Sequence, residues 1–251
     1  MRLGALIGPL FAPAEPGAFV RRASELEAEG FDGLWVPQAV GRGQMVLDPF
    51  VALAGAAAAT QRVRLGTAVI QLPLYRAAEL AHRIFSLMNL AGDRLALGVG
   101  AGSTERDFQI FGRDYATRFE RFDEGLAELR GLLATGKGEG GDLSPGSSVL
   151  GAPLLYGTWG RGVVRAAREF SGWIASAMYR KPDELRESLR AYRAHEGKNA
   201  IVSTIALGAE PTPGANRARI DFFAECGFDE AVVLLLPGGP SPRELRSWVR
   251  S

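Results

Sequence analysis

Short apolar runs alternate with amphipathic stretches along the whole chain. The runs at 3–7, 33–36, 63–70, 95–99, 153–156, 173–176, 201–207 and 231–236 are apolar on both faces. Strands of a parallel sheet covered by helices read this way. Between the runs the period becomes that of a helix. Leu80, Ile84, Leu87 and Met88 form one apolar stripe, and Phe119, Phe122, Leu126, Leu129 and Leu133 form another. Thr117-Arg-Phe-Glu120 and Ser241-Pro-Arg-Glu244 are capping-box patterns, the second with Pro242 at the first helical position. Pro182 with Asp183 and Glu184 opens a further helix, and Gly30 and Gly227 read as glycines that end helices.

Glu29-Gly-Phe-Asp-Gly-Leu-Trp-Val36 is echoed by Cys226-Gly-Phe-Asp-Glu-Ala-Val-Val233. Each is a helix end, a glycine, a Phe-Asp pair and a new strand. Recurrent junctions of this kind suit a repeated βα unit. Eight strands alternating with helices predict an α/β fold, a (β/α)8 TIM barrel. A doubly wound open sheet has the same periodicity and stays open as the alternative. One segment breaks the rhythm: Ala134 to Ser148 is rich in Gly and Ser without a period. It predicts a flexible excursion over about 134–151, either a lid or a disordered loop.

A length of 251 residues with 47% hydrophobic content fits one barrel domain, 1–251. The net charge of +1 offers no basic field, so no nucleic-acid or membrane partner is expected. The single cysteine, Cys226, excludes an internal disulfide, and two distant histidines, His82 and His195, argue against a metal site. No apolar run approaches the ~20 residues of a membrane helix. Met1 to Gly8 reads as a first strand rather than a signal segment, and a cytoplasmic location is expected.

In such a barrel, function collects at the C-terminal ends of the strands. Gly92-Asp-Arg-Leu-Ala-Leu-Gly-Val-Gly-Ala-Gly-Ser-Thr-Glu-Arg-Asp-Phe108 reads as a turn, a buried strand, a glycine-rich loop and a helix capped by Ser103 or Thr104. Its glycines let backbone approach a flat or anionic ligand, or simply make a tight turn. Gly157, Thr158 and Gly160 before a helix near Arg161 bring N–H groups, a hydroxyl and a guanidinium to a phosphate, or cap the helix. Gln38 ends an apolar strand, where it bonds a heterocycle edge or local backbone. Phe11, Trp159, Met178 and Tyr179 wall a flat ring or are ordinary packing. No histidine, Asp or Glu falls at a strand end. Such a rim suits a site in which a bound cofactor carries the reaction.

The order and spacing of Ala28 to Val36, Val63 to Val69, Gly92 to Gly102, Arg118 to Leu133 and Ala166 to Trp173 resemble the luciferase-like monooxygenase superfamily. The resemblance implies FMN or the deazaflavin F420, bound in the barrel mouth, and a small organic substrate. It implies a non-proline cis peptide at Ala68–Val69 beneath the ring. It implies cofactor contacts at Gly100, Gly102, Ser103, Thr104, Gly157, Thr158, Trp159 and Arg161; the ends of the first two strands add Gly8 and Gln38 as further cofactor-contact candidates. Relatives often carry an Asp-His or Glu-His pair after the second strand, where this chain has Gln38 and Ala39. Proton transfer is then left to water, substrate or Tyr179, so Gln38 and Tyr179 are the catalytic candidates. The expected function is hydride transfer between F420 (or FMN) and substrate, with a lean to F420 from the glutamine-bearing loop. An FMN-dependent monooxygenase and a non-catalytic flavin-binding protein are the alternatives. A homodimer packed through the apolar second helix is expected.

Overall fold

All eight apolar runs become strands, and neighbours pair in parallel. In the computed structural model, which describes residues 1–10, 15–43, 45–143, 152–210 and 212–249, they are β1 (Arg2–Leu6), β2 (Gly33–Val36), β3 (Arg64–Gln71), β4 (Leu95–Gly100), β5 (Leu154–Gly157), β6 (Gly172–Ser176), β7 (Ala200–Leu207) and β8 (Glu230–Leu235). Their order is β1-β8-β7-β6-β5-β4-β3-β2, and β1 pairs with β2 to close a barrel. Closure excludes the open sheet.

The helices are α1 (Ala18–Ala28), α2 (Pro49–Ala59), α3 (Ala77–Ala91), α4 (Glu105–Ile110), α5 (Arg118–Thr135), α6 (Gly162–Glu169), α7 (Pro182–Ala194), α8 (Ala215–Cys226) and α9 (Pro242–Trp248). Each βα unit has one helix except the fourth, where α4 precedes α5. None of them is long and apolar enough to cross a membrane.

Alternation along each strand divides the core in two. Leu3, Ala5, Leu34, Val36 and Val233 point outward beneath the helices. Leu6, Trp35, Leu155, Ile174, Ile201 and Val232 fill the barrel interior. Trp35 is fully buried there, and its Nε1 donates to Glu230 Oε1 at 2.6 Å. A Cβ on Gly4, Gly33 or Gly66, one from each of β1, β2 and β3, would run into its indole. Three adjacent strands therefore use glycine to make room for one large ring. Below it, Arg2 and Arg64 both meet the Glu230 carboxylate at 3.3 Å. Burial pushes the Glu230 carboxyl above the usual carboxylate range, with Arg64, Trp35 and Arg2 pulling against that rise.

Two expected caps are otherwise employed. The Thr117 hydroxyl makes no cap bond to α5; it donates to Asp114 O and accepts from Arg121 Nε. Thr104 stands at the N-cap of α4 without capping it, because its hydroxyl accepts from Arg42. Ser241 does cap, accepting from Glu244 N at 3.2 Å. The expected excursion at 134–151 is more ordered at its start. α5 runs on to Thr135, Gly136 ends it at φ 66°, and Lys137–Gly138 pairs antiparallel with Gly141–Asp142. This ribbon directly follows α5; the rest of the excursion, 144–151, lies outside the described residues.

Candidate functional site

The C-terminal end of the barrel is shaped by a bulge in β3. The register with β4 slips between Thr67 and Ile70, and the Ala68–Val69 peptide is cis, as the resemblance implied. Ala68 and Val69 both pack against the inner cluster. Val69 lodges among Gly98, Gly100 and Gly157: a Cβ on Gly157 would stand 2.5 Å from Val69 Cγ1, and one on Gly100 3.0 Å from Cγ2. A side chain at any of these positions would collide with Val69, so the glycines leave room for the bulge. Gly102 is likewise filled, since a Cβ there would meet Gln71 Oε1 at 2.5 Å and the Phe108 ring. Gly8 is buried at φ 111°, against Val36.

A chain of polar side chains runs along one side of this mouth. Gln38 Nε2 donates to Tyr75 Oη at 2.7 Å, while Gln38 Oε1 accepts from Gln71 N at 2.7 Å. Gln71 Nε2 donates to Asp107 Oδ2 at 2.7 Å. Asp107 is fully buried and takes a forked pair from Arg42, Nη2 at 2.8 Å and Nε at 3.4 Å. Arg42 also donates to Thr104 Oγ1 at 2.8 Å and to Tyr179 Oη at 3.2 Å. One guanidinium thus joins the loops after β2, β4 and β6. Burial opposes its charge, but Asp107 and Tyr179 outweigh that and keep it firmly protonated. Burial pushes the Tyr75 phenol up to about 12, so it stays neutral. One acceptor in the chain is unmet: Gln71 Oε1 is buried with no hydrogen-bond donor among the described residues.

The other side is built by β5 and β6. Trp173 Nε1 donates to Thr158 O at 2.9 Å, fixing the turn before α6. Gly160 at φ 59° opens toward α6, with nothing within 4 Å of where its Cβ would be. Arg161 is exposed beside it. Trp159, Met178 and Tyr179 stand at the rim, 42%, 54% and 47% exposed, with the Trp159 and Tyr179 rings 6.1 Å apart. Arg180 lies 4.9 Å over the Trp159 ring.

Every candidate site residue therefore belongs to the C-terminal end of the barrel except Phe11, which lies outside the described residues. Gln38 is bound into the network by both ends of its amide, and Ser103 is exposed, its carbonyl accepting from Tyr115 Oη at 3.1 Å. The sequence reading missed Asp107, Arg42 and Gln71. It found no acid at any strand end, which is true, but Asp107 reaches the site from α4. Nothing in the linear order connects positions 42, 71 and 107. At the opposite face, a cavity of about 630 Å³ is walled by Arg2, Arg64, Asp32 and Arg246. Its ion pairs, Arg246 with Asp32 at 3.1 Å among them, hold the barrel floor together.

The model of the luciferase-like monooxygenase family matches residues 4–223. The 4-hydroxyprotoasukamycin monooxygenase of Streptomyces nodosus subsp. asukaensis is 37% identical over 136 residues. That match takes in 52% of this chain and only 37% of the relative's length. Among solved structures, an F420-dependent secondary alcohol dehydrogenase with an F420–acetone adduct superposes at a TM-score of 0.78, with 14% identity over 99% of this chain and 98% of that one. The FMN-bound oxygenating constituent of 3,6-diketocamphane monooxygenase from Pseudomonas putida superposes at 0.67, with 17% identity over 84% and 68%. At such identities the two structures are likenesses of fold.

Proposed function

Because this chain belongs to the luciferase-like monooxygenase family, we propose that it is an oxidoreductase moving hydride between F420 or FMN and an organic substrate in the barrel mouth. The observation that carries the reading is the mouth itself. Its inward residues Leu6, Ala68, Val69 and Leu234 are small or apolar, and its base is closed by the inner core. A flat, largely apolar ring fits such a site.

The bound group would supply the redox chemistry. The chain would supply shape, hydrogen bonds and protons. In this reading the Ala68–Val69 bulge is the shelf under the ring, with Gly8 and Gln38 beside it. Thr158, the turn at Gly157 and the open N-terminus of α6 take a phosphate, with Arg161 adding charge. Gly100, Gly102, Ser103 and Thr104 border the cofactor tail, and Trp159 forms the rim. Tyr179, held by Arg42, exchanges a proton with the substrate. Gln38 acts by fixing Gln71 and the bulge rather than by proton transfer. The same reading includes a homodimer packed through α2, whose Val51 is 70% exposed; sedimentation at micromolar concentration tests it, and a monomer there rejects it.

Flavin-supported monooxygenation is the second reading, favoured by the activity named for the relative at 37% identity. The experiment is a titration with FMN and with F420, followed by fluorescence quenching. Binding of F420 alone supports hydride transfer without oxygen activation; binding of FMN alone supports the monooxygenase. Arg161→Ala should weaken whichever binds by roughly tenfold, the value of one charge-assisted hydrogen bond. Folded protein that binds neither rejects the proposal. Tight binding without turnover of any substrate would point instead to a flavin-binding protein.

A further inference from the structure

One wall of the mouth carries a strained residue. Thr204, within β7, has φ 59°, where a β-branched residue is an outlier. Among the described residues the other non-glycine with positive φ is Glu196, just past the C-cap of α7, where a left-handed residue is ordinary. Thr204 has no such excuse. The register between β7 and β8 slips between Val202 and Ile205. Both of those side chains pack outward, so the extra residue falls at Ser203–Thr204, on the side of the lumen. Ser203 is 2% exposed and its hydroxyl donates to Ala175 O at 3.1 Å. Thr204 is half-buried, and its hydroxyl has only a 3.5 Å contact with Ser203 Oγ. A contact of that length leaves its hydrogen-bonding capacity largely unused. In the strand order β7 lies four strands from β3, so the two bulges face each other across the barrel.

We propose that Thr204 is a ligand-binding residue, whose hydroxyl bonds the polar edge of a heterocycle resting on the β3 bulge. This rests on the cofactor reading above. A hydroxyl both donates and accepts, so it suits a ring carbonyl or a ring N–H. Its inward neighbours on β7 and β8, Ala206 and Leu234, offer no polar group in its place. Backbone strain persists where the surroundings enforce it, and ligand sites are where it collects. The left-handed turn at Thr204 is what fits the extra residue between Val202 and Ile205.

The test uses the whole chain and both FMN and F420. Thr204→Val keeps the shape and removes the hydroxyl; it should weaken the cofactor that wild type binds by about fivefold, one neutral hydrogen bond. Thr204→Ser should bind within about twofold of wild type. Thr204→Gly should weaken binding and raise Tm by about 2 °C, since glycine accepts this backbone without strain. Wild-type affinity in both Thr204→Val and Thr204→Gly would overturn the proposal while leaving the cofactor reading intact. A wild type that is folded but binds neither probe would reject the cofactor reading, and the role of Thr204 with it.

Discussion

Arg42 shows how much of this mouth depends on one side chain. Its guanidinium satisfies a carboxylate that is 0% exposed, and its remaining N–H groups hold Thr104 and Tyr179. Removing it leaves Asp107 buried with the Gln71 amide as its remaining side-chain donor among the described residues. A buried charge that loses a partner costs more than the pair contributes. Because Arg42 is itself 32% exposed, the expectation for Arg42→Ala is a loss of about 2 kcal/mol, the value of one hydrogen bond to a charged group. Urea unfolding measures it. Arg42→Lys should recover little, because an ammonium cannot fork across both carboxylate oxygens. A loss near zero, or full recovery by lysine, would show that Asp107 is held by other groups. Gln38 makes the complementary case. The sequence marks it only as a polar residue at a strand end; its two hydrogen-bonded ends make it a brace between β2 and the β3 bulge.

At the scale of elements, Glu27 plays a similar part. Its carboxylate accepts from Gln61 N, Arg62 N and Val63 N, at 2.7 to 3.1 Å, fastening α1 to the turn that starts β3. Desolvation tends to raise its pKa, but these three backbone N–H groups and the Arg62 charge hold it below its ordinary value of 4.5. For a carboxylate depressed in the fold, the stabilisation is present above the ordinary pKa and is lost as pH falls through the folded one. Wild type should therefore exceed Glu27→Gln in urea midpoint at pH 7, and the gap should close as the pH falls below the ordinary value of 4.5. A gap that widens on acidification would reverse the sign of the interaction. The strands and helices themselves were readable because their periods are local. The run at 63–70 reads as a strand in any register, but its bulge depends on Val69 finding Gly98, Gly100 and Gly157 on β4 and β5. The caps at Thr104 and Thr117 failed for the same reason: a hydroxyl bonds whichever group tertiary structure brings to it. Arg42 lies on the loop after β2, Gln71 ends β3 and Asp107 sits in α4, and only the pairing of β2, β3 and β4 side by side unites them.

The barrel as a whole is organised about a ring at its centre. Trp35 occupies the interior with its N–H bound to Glu230, and glycines at 4, 33 and 66 concede the space. The pair Trp35 and Gly66 is then a single packing decision, and Gly66→Ala is its probe. Its new methyl would overlap the six-membered part of the indole, and neither strand nor ring can withdraw without moving a neighbour. Overpacking a closed core costs about 1–3 kcal/mol, and the loss should reach the mouth as well as the fold, because the inner cluster that holds Trp35 also supports Ala68 and Val69. Gly131→Ala is the matched control. It lies within α5 with nothing within 4 Å of its Cβ position, so the substitution should stabilise by about 0.5–1 kcal/mol through helix propensity alone. Denaturant midpoints of the two variants should fall on opposite sides of wild type. If Gly66→Ala were neutral, the indole would have room to shift, and the rigid floor on which the β3 bulge rests would have to be given up.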